Sequence, residues 1–125
     1  MGILGKGGLL LLSMGGCSGI LMYLSLERPA GWAYIRNFAR LRQGHVDALV
    51  LGGIFLAAEA TGVVDPYASL VLLITGFYTV ISTGAMGWWP DFPQRYKVAG
   101  VGDFAALSTF ALAWVWVTVR VLTGW

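Results

Sequence analysis

The stretch Arg40–Glu59, RLRQGHVDALVLGGIFLAAE, carries the only histidine of the chain and two carboxylates into an otherwise apolar segment. Arg36, Arg40 and Arg42 form a basic approach, His45 and Asp47 follow at the mouth, and Glu59 sits deeper, among Leu56, Ala57, Ala58 and Ala60. An ionisable group inside a membrane helix costs about 2.5–3.5 kcal/mol on insertion scales, so such residues face partners in preference to lipid. That cost makes this segment the place to look for function.

The rest of the chain is arranged to hold that segment in a membrane. Of 125 residues, 58% are apolar and only 11% charged, and the mean hydropathy is +0.75. A soluble domain carries roughly 25% charged residues. The net charge of +2 is too small to argue for nucleic acid, and membrane topology explains the basic residues more simply. The single cysteine, Cys17, excludes an internal disulfide and a cysteine-based metal cluster, and is read as a small packing residue. Met14-Gly15-Gly16-Cys17 has the outline of a lipoprotein cleavage site, and Lys6 with the apolar run after it that of a signal peptide, but the expectation is a resident helix.

Four apolar segments are predicted, at about residues 7–26, 44–64, 67–89 and 102–122, each near the ~20 residues that cross a bilayer core. They form a single membrane domain over 1–125, an all-α, antiparallel four-transmembrane-helix bundle. Helix is required because lipid offers no partner to an open backbone. Gly15, Gly16 and Gly19 predict a face for close helix approach. Residues 33–42 mix apolar and basic side chains as a short interfacial helix would. Asp65-Pro66 reads as a cap and first position of the third helix, and Trp88-Trp89-Pro90 as its end at headgroup level. Arg28, Arg36, Arg40, Arg42, Arg95 and Lys97 lie on one side against Lys6 and Arg120 on the other, which places the Arg-rich loops in the cytoplasm and both termini outside, in a membrane expected to be a bacterial inner membrane.

Each candidate residue has two readings. His45 can supply the single proximal ligand that a haem needs, or it is an interfacial histidine bonded to headgroups or to Asp103. Asp47 and Asp103 read as first-turn carboxylates favoured by the helix dipole, or as partners that orient the His45 imidazole. Glu59 is a polar pocket or proton site, or interhelical glue, with Tyr78, Ser82 and the hydroxyl stripe Thr75, Thr79 and Thr83 as candidate partners on the third helix. Trp114 and Trp116 lie mid-span, where they wall a flat ligand or simply pack, and Arg120 is expected to snorkel to the interface. There is no phosphate-binding loop, paired-cysteine motif, His-rich cluster or nucleophile elbow.

Gly44-His45-Val46-Asp47-Ala48-Leu49-Val50-Leu51-Gly52, Leu73-Ile74-Thr75-Gly76-Phe77 and Gly102-Asp103-Phe104 resemble, in order and spacing, segments of the small four-helix membrane isomerases, the styrene oxide isomerases and hydroxylaminobenzene mutases. The resemblance covers about residues 40–109. It implies an oligomer, such as a trimer, with haem b between subunits and His45 as its axial ligand. It also implies Lewis-acid isomerisation of a small apolar epoxide. The chain departs from that family at Leu51, where the family has Asn, at Thr75, where it has Asp, and near Thr83, where it has Tyr. The expected site is therefore His45 with Asp47 and Asp103 toward the cofactor, and Glu59, Thr75 and Thr79 lining the pocket. A different class fits the small size and glycine faces as well: a non-catalytic accessory subunit of a larger membrane complex. A proton-linked transporter built on Glu59 is the third reading, without the internal repeat that alternating access uses.

Overall fold

The computed structural model describes residues 2–29, 32–91 and 97–124. Among them are four long helices and no strand: α1 (Ile3–Leu26), α2 (Phe38–Thr61), α3 (Pro66–Ala85) and α4 (Lys97–Thr123), with a 3-10 turn at Trp32–Tyr34. All four helices are long and apolar enough to cross a membrane. Each rises about 1.5 Å per residue, so the shortest matches a hydrocarbon core of about 30 Å.

Helix ends fall where local chemistry puts them. Asp65 caps α3, its carboxylate accepting from the Ala68 amide, with Pro66 in the first position as expected. Asn37 caps α2, its side chain accepting from the Arg40 amide at 3.2 Å. The helix therefore starts at Phe38, and the stretch expected to form a separate interfacial helix instead divides between the Trp32–Tyr34 turn and the first turns of α2. Likewise α3 stops at Ala85 and not at Trp89. Beyond it the Gly87 carbonyl accepts from the amides of Arg36 (2.7 Å) and Asn37 (2.9 Å), and Trp88 Nε1 donates to the Ala33 carbonyl at 2.8 Å. These bonds stitch the first long loop to the end of α3. Ala33 and Tyr34 take positive φ there, 54° and 60°, a conformation that L-residues with side chains seldom adopt. Arg95 lies outside the described residues.

Small residues set the helix spacing. A Cβ on Gly8 would stand 2.8 Å from the Gly52 carbonyl oxygen, and one on Gly52 would stand 2.8 Å from the carbonyl of Gly8. At Gly44 a Cβ would meet the Gly84 Cα at 2.8 Å, so α2 touches α3 by backbone as well. Lipid supplies no hydrophobic drive between helices, and association rests on such close packing. Gly15 and Gly19 also face α2, whereas a Cβ on Gly16 would meet nothing within 4 Å among the described residues, and Cys17 is exposed. Between the helices lies a core whose fully buried large side chains are Leu4, Leu11, Phe55 and Leu72.

The fourth helix is held differently. It packs chiefly on α3, through buried small residues that recur every seven positions: Ala99, Ala106 and Ala113 on α4, and Ala68, Thr75 and Ser82 on α3. Seven-residue spacing is the signature of a shallow left-handed crossing. Polar pairs close this antiparallel seam at both ends. Ser82 Oγ donates to Asp103 Oδ1 at 2.6 Å, and Arg120 Nη1 stands 2.8 Å from Asp65 Oδ1. Arg120 thus pairs across helices, where snorkelling was expected, because the register brings it opposite the α3 cap.

Gly52→Ala should force α1 and α2 apart and lower stability by about 1–3 kcal/mol, the usual range for overpacking. Gly53→Ala, with nothing within 4 Å of the added methyl, should be neutral or slightly stabilising. Thermal melts in detergent, followed by circular dichroism, should show this difference between adjacent glycines.

Candidate functional site

His45 lies against α1, not against the carboxylates. Its Nδ1 is 2.6 Å from the Gly15 carbonyl oxygen and 3.2 Å from Ser18 Oγ. A carbonyl only accepts, so Nδ1 carries the proton. Ser18 donates to the same carbonyl at 2.9 Å, which leaves its lone pairs facing the ring. Gly19 makes room: a Cβ there would be 2.9 Å from His45 Cε1. In the neutral imidazole the other nitrogen, Nε2, then holds a free lone pair, and it has no hydrogen-bond partner among the described residues. The ring lines an apolar groove of about 350 Å³ with Leu21, Val80, Ile81, Trp88 and Trp89.

Asp47 and Asp103 belong to another surface. Asp47 follows His45 by two residues, about 200° round a helix of 3.6 residues per turn. Both carboxylates line a cavity of about 510 Å³ between α2, α3 and α4, together with Thr79, Thr83, Leu51 and Phe110. Neither forms a hydrogen bond or ion pair with His45 among the described residues, so the orienting group of the imidazole is the Gly15 carbonyl. Because α2 and α4 begin upstream of the expected starts, neither aspartate is in a first turn, and the helix dipole does not account for them.

Glu59 turns toward α1 as well. Its carboxylate accepts from the Gly2 amide, and Oε2 from the Gly5 amide at 3.3 Å. Gly2 provides no side-chain cap of its own, so α2 supplies one across the helix pair. The first amides of a helix have no partner within it, and a carboxylate suits both them and the positive end of the dipole. With α2 ending at Thr61, Glu59 sits near the helix end, not deep in the span. Of the third-helix hydroxyls proposed as its partners, Thr75 Oγ1 donates to the Val71 carbonyl (2.8 Å), Thr79 Oγ1 to that of Thr75 (2.9 Å) and Ser82 to Asp103, while Thr83 lines the cavity beside Asp47. Tyr78 reaches the Ala99 carbonyl at 3.4 Å. Thr79 lines the larger cavity, while Thr75 is buried in the α3–α4 seam.

The chain was compared with family models, curated proteins and solved structures. None of them matches.

Among the described residues no group of three or more His, Cys, Asp and Glu side chains could hold a metal ion by itself. A haem asks only one nitrogen of the protein, and His45 provides it in a defined tautomer. Trp114 packs edge-on against Phe110, with centroids 6.3 Å apart, and Trp116 is half-exposed; the tryptophans beside His45 are Trp88 and Trp89. Gly15, Ser18 and these two tryptophans complete the histidine site. Their sequence signal was Gly15 and Gly19 bracketing Ser18 on a face turned to α2.

Glu59→Ala should destabilise the protein by about 1 kcal/mol, the usual effect of losing a cap. Glu59→Gln, which keeps an accepting oxygen, should lose less. Amide exchange at Gly2 and Gly5 is the direct readout, rising in Glu59→Ala while the centre of α1 stays protected.

Proposed function

We propose that this chain is a haem-binding membrane protein in which Nε2 of His45 would hold the iron. The observation that carries this reading is the Nδ1–H bond to the Gly15 carbonyl at 2.6 Å, which fixes the tautomer and leaves Nε2 as a ligand nitrogen beside an apolar groove. Bound there, ferric haem b supplies a Lewis acid for an epoxide oxygen, the isomerase chemistry of the family that the His45 region resembles.

The residues of this chain have separable tasks in that reading. Gly15 and Ser18 hold the ring, Gly19 keeps the approach to it free of a side chain, and Leu21, Val80, Ile81, Trp88 and Trp89 keep water away. One copy walls only one side of an open groove. A second copy would cover the other face of a flat macrocycle, which makes a homo-oligomer, such as a trimer, the working assembly. The substrate class is small and apolar, since the groove is lined almost wholly by apolar side chains. Leu51 and Thr83, two of the positions where the chain departs from the isomerases, line the cavity on the opposite side of α2. We place the end bearing Arg28, Arg36, Arg40, Arg42 and Lys97 in the cytoplasm of a bacterial inner membrane, by the excess of basic residues there over Lys6 and Arg120.

A second reading is a non-catalytic subunit of a larger membrane complex. It is favoured by Gly16 and Gly53, which have nothing among the described residues within 4 Å of where a Cβ would stand. Glycines that the chain itself leaves uncovered suit the close approach of another helix.

The visible spectrum of detergent-purified protein, oxidised and then dithionite-reduced, separates the two. With haem available during expression, we expect a Soret band near stoichiometric with protein, lost in His45→Ala while the helical circular dichroism is kept. Gly19→Val, which crowds the ring, should lower haem occupancy without removing the ligand. Absence of the band in intact wild-type protein, with other chains co-purifying in fixed ratio, would overturn the haem reading and favour the subunit.

A further inference from the structure

The cavity between α2, α3 and α4 is graded along its length. At one end stand Arg40, Gln43, Asp47 and Asp103, and at the other Leu51, Leu107 and Phe110. Arg40 and Leu51 are eleven residues apart on α2, so the gradient runs over about 16 Å at the helical rise. The threonine hydroxyls of Thr79 and Thr83 lie between. At about 510 Å³ it is far larger than a bare ion needs and lies within the usual range for small organic ligands.

Charge at the polar end is unbalanced. Arg40 spends Nη1 on Gln43 Oε1 at 3.2 Å and forms no ion pair with either aspartate among the described residues. Asp103 accepts one bond, from Ser82 at 2.6 Å, through Oδ1, and its Oδ2 accepts none among the described residues. Asp47 has neither hydrogen bond nor ion pair among them. Two carboxylates stand here against one guanidinium, Asp47 and Asp103 half-buried and Arg40 exposed, with both aspartates away from the first turns where the dipole would favour them. A half-buried carboxylate without a protein partner attracts a cation, and an apolar body carried by that cation would fill the apolar end of the cavity.

We propose that this cavity is a binding site for a small amphiphilic monocation, an ammonium group on an aromatic or branched aliphatic tail. The ammonium sits between Asp47 and Asp103, and the tail lies along Leu51, Leu107 and Phe110. The tilted contact of Phe110 with Phe55, centroids 6.4 Å apart, and its edge contact with Trp114 give the floor an aromatic wall held from both sides. The site is independent of His45, which lies on the other side of α2.

The test uses full-length protein in phosphatidylcholine nanodiscs and two probes read by fluorine NMR, 4-(4-fluorophenyl)butylammonium and the uncharged 4-(4-fluorophenyl)butan-1-ol. The ammonium should bind saturably above the level of empty nanodiscs, and the alcohol about tenfold more weakly, as expected for loss of a charged hydrogen bond. Asp47→Asn and Asp103→Asn keep the shape of the site and should each weaken the ammonium about tenfold while leaving the alcohol unchanged. Leu51→Trp fills the floor and should abolish binding of both probes, with melting behaviour confirming that it folds. Equal affinity for the two probes, or ammonium binding unmoved by both asparagine variants and by Leu51→Trp, would overturn the proposal. So would binding that never exceeds partition into empty nanodiscs.

Discussion

The close approach of α1 and α2 at Gly8 and Gly52 is the constraint on which the other features rest. Each glycine stands where a methyl on its neighbour would strike backbone, so the two helix axes come nearer than larger residues would permit. Only at that separation can an imidazole on α2 bond a main-chain carbonyl of α1, or a glutamate on α2 reach the first amides of α1. The histidine site and the α1 cap are thus two consequences of one packing choice. Both use backbone groups as partners, which glycine-rich helices expose to their neighbours.

The α3–α4 pair solves the same problem with alanine. A seam of small residues every seven positions holds α4 on α3, and a polar pair at either end fixes the register. This arrangement attaches α4 along one side only. It leaves a wedge toward α2, and the aspartates of α2 and α4 project into that wedge. Glycine packing of α2 on α3 and alanine packing of α4 on α3 thus set the groove beside His45 apart from the cavity that Asp47 and Asp103 line.

Much of this was legible from residue order. Four spans, their antiparallel arrangement, the Asp65-Pro66 turn and the Gly15 and Gly19 contact face follow from apolar run length, turn chemistry and glycine spacing. The helix starts did not, because Asn37 capping α2 lies inside a stretch whose mixed polarity suggested a separate helix. That shift moved Asp47 and Glu59 along the span, which changed what each can touch. Glu59 paired with backbone amides instead of side-chain hydroxyls, and a sequence names side chains far more readily than it names free amides. His45 was singled out by its rarity, but its partner was a carbonyl, equally silent in the sequence. Residue type alone names a ligand nitrogen or a carboxylate, whereas the groove or cavity beside it arises only from the packing of several helices.

The cap that α2 lends to α1 also bears on how such a chain is made. Glu59 is synthesised long after Gly2 and Gly5, so the start of α1 enters the bilayer with amides that its own sequence does not satisfy. Water serves those amides until α2 has crossed in the opposite direction and brought its last turn alongside. The smallest unit in which this end is complete is the helical hairpin, not the single helix.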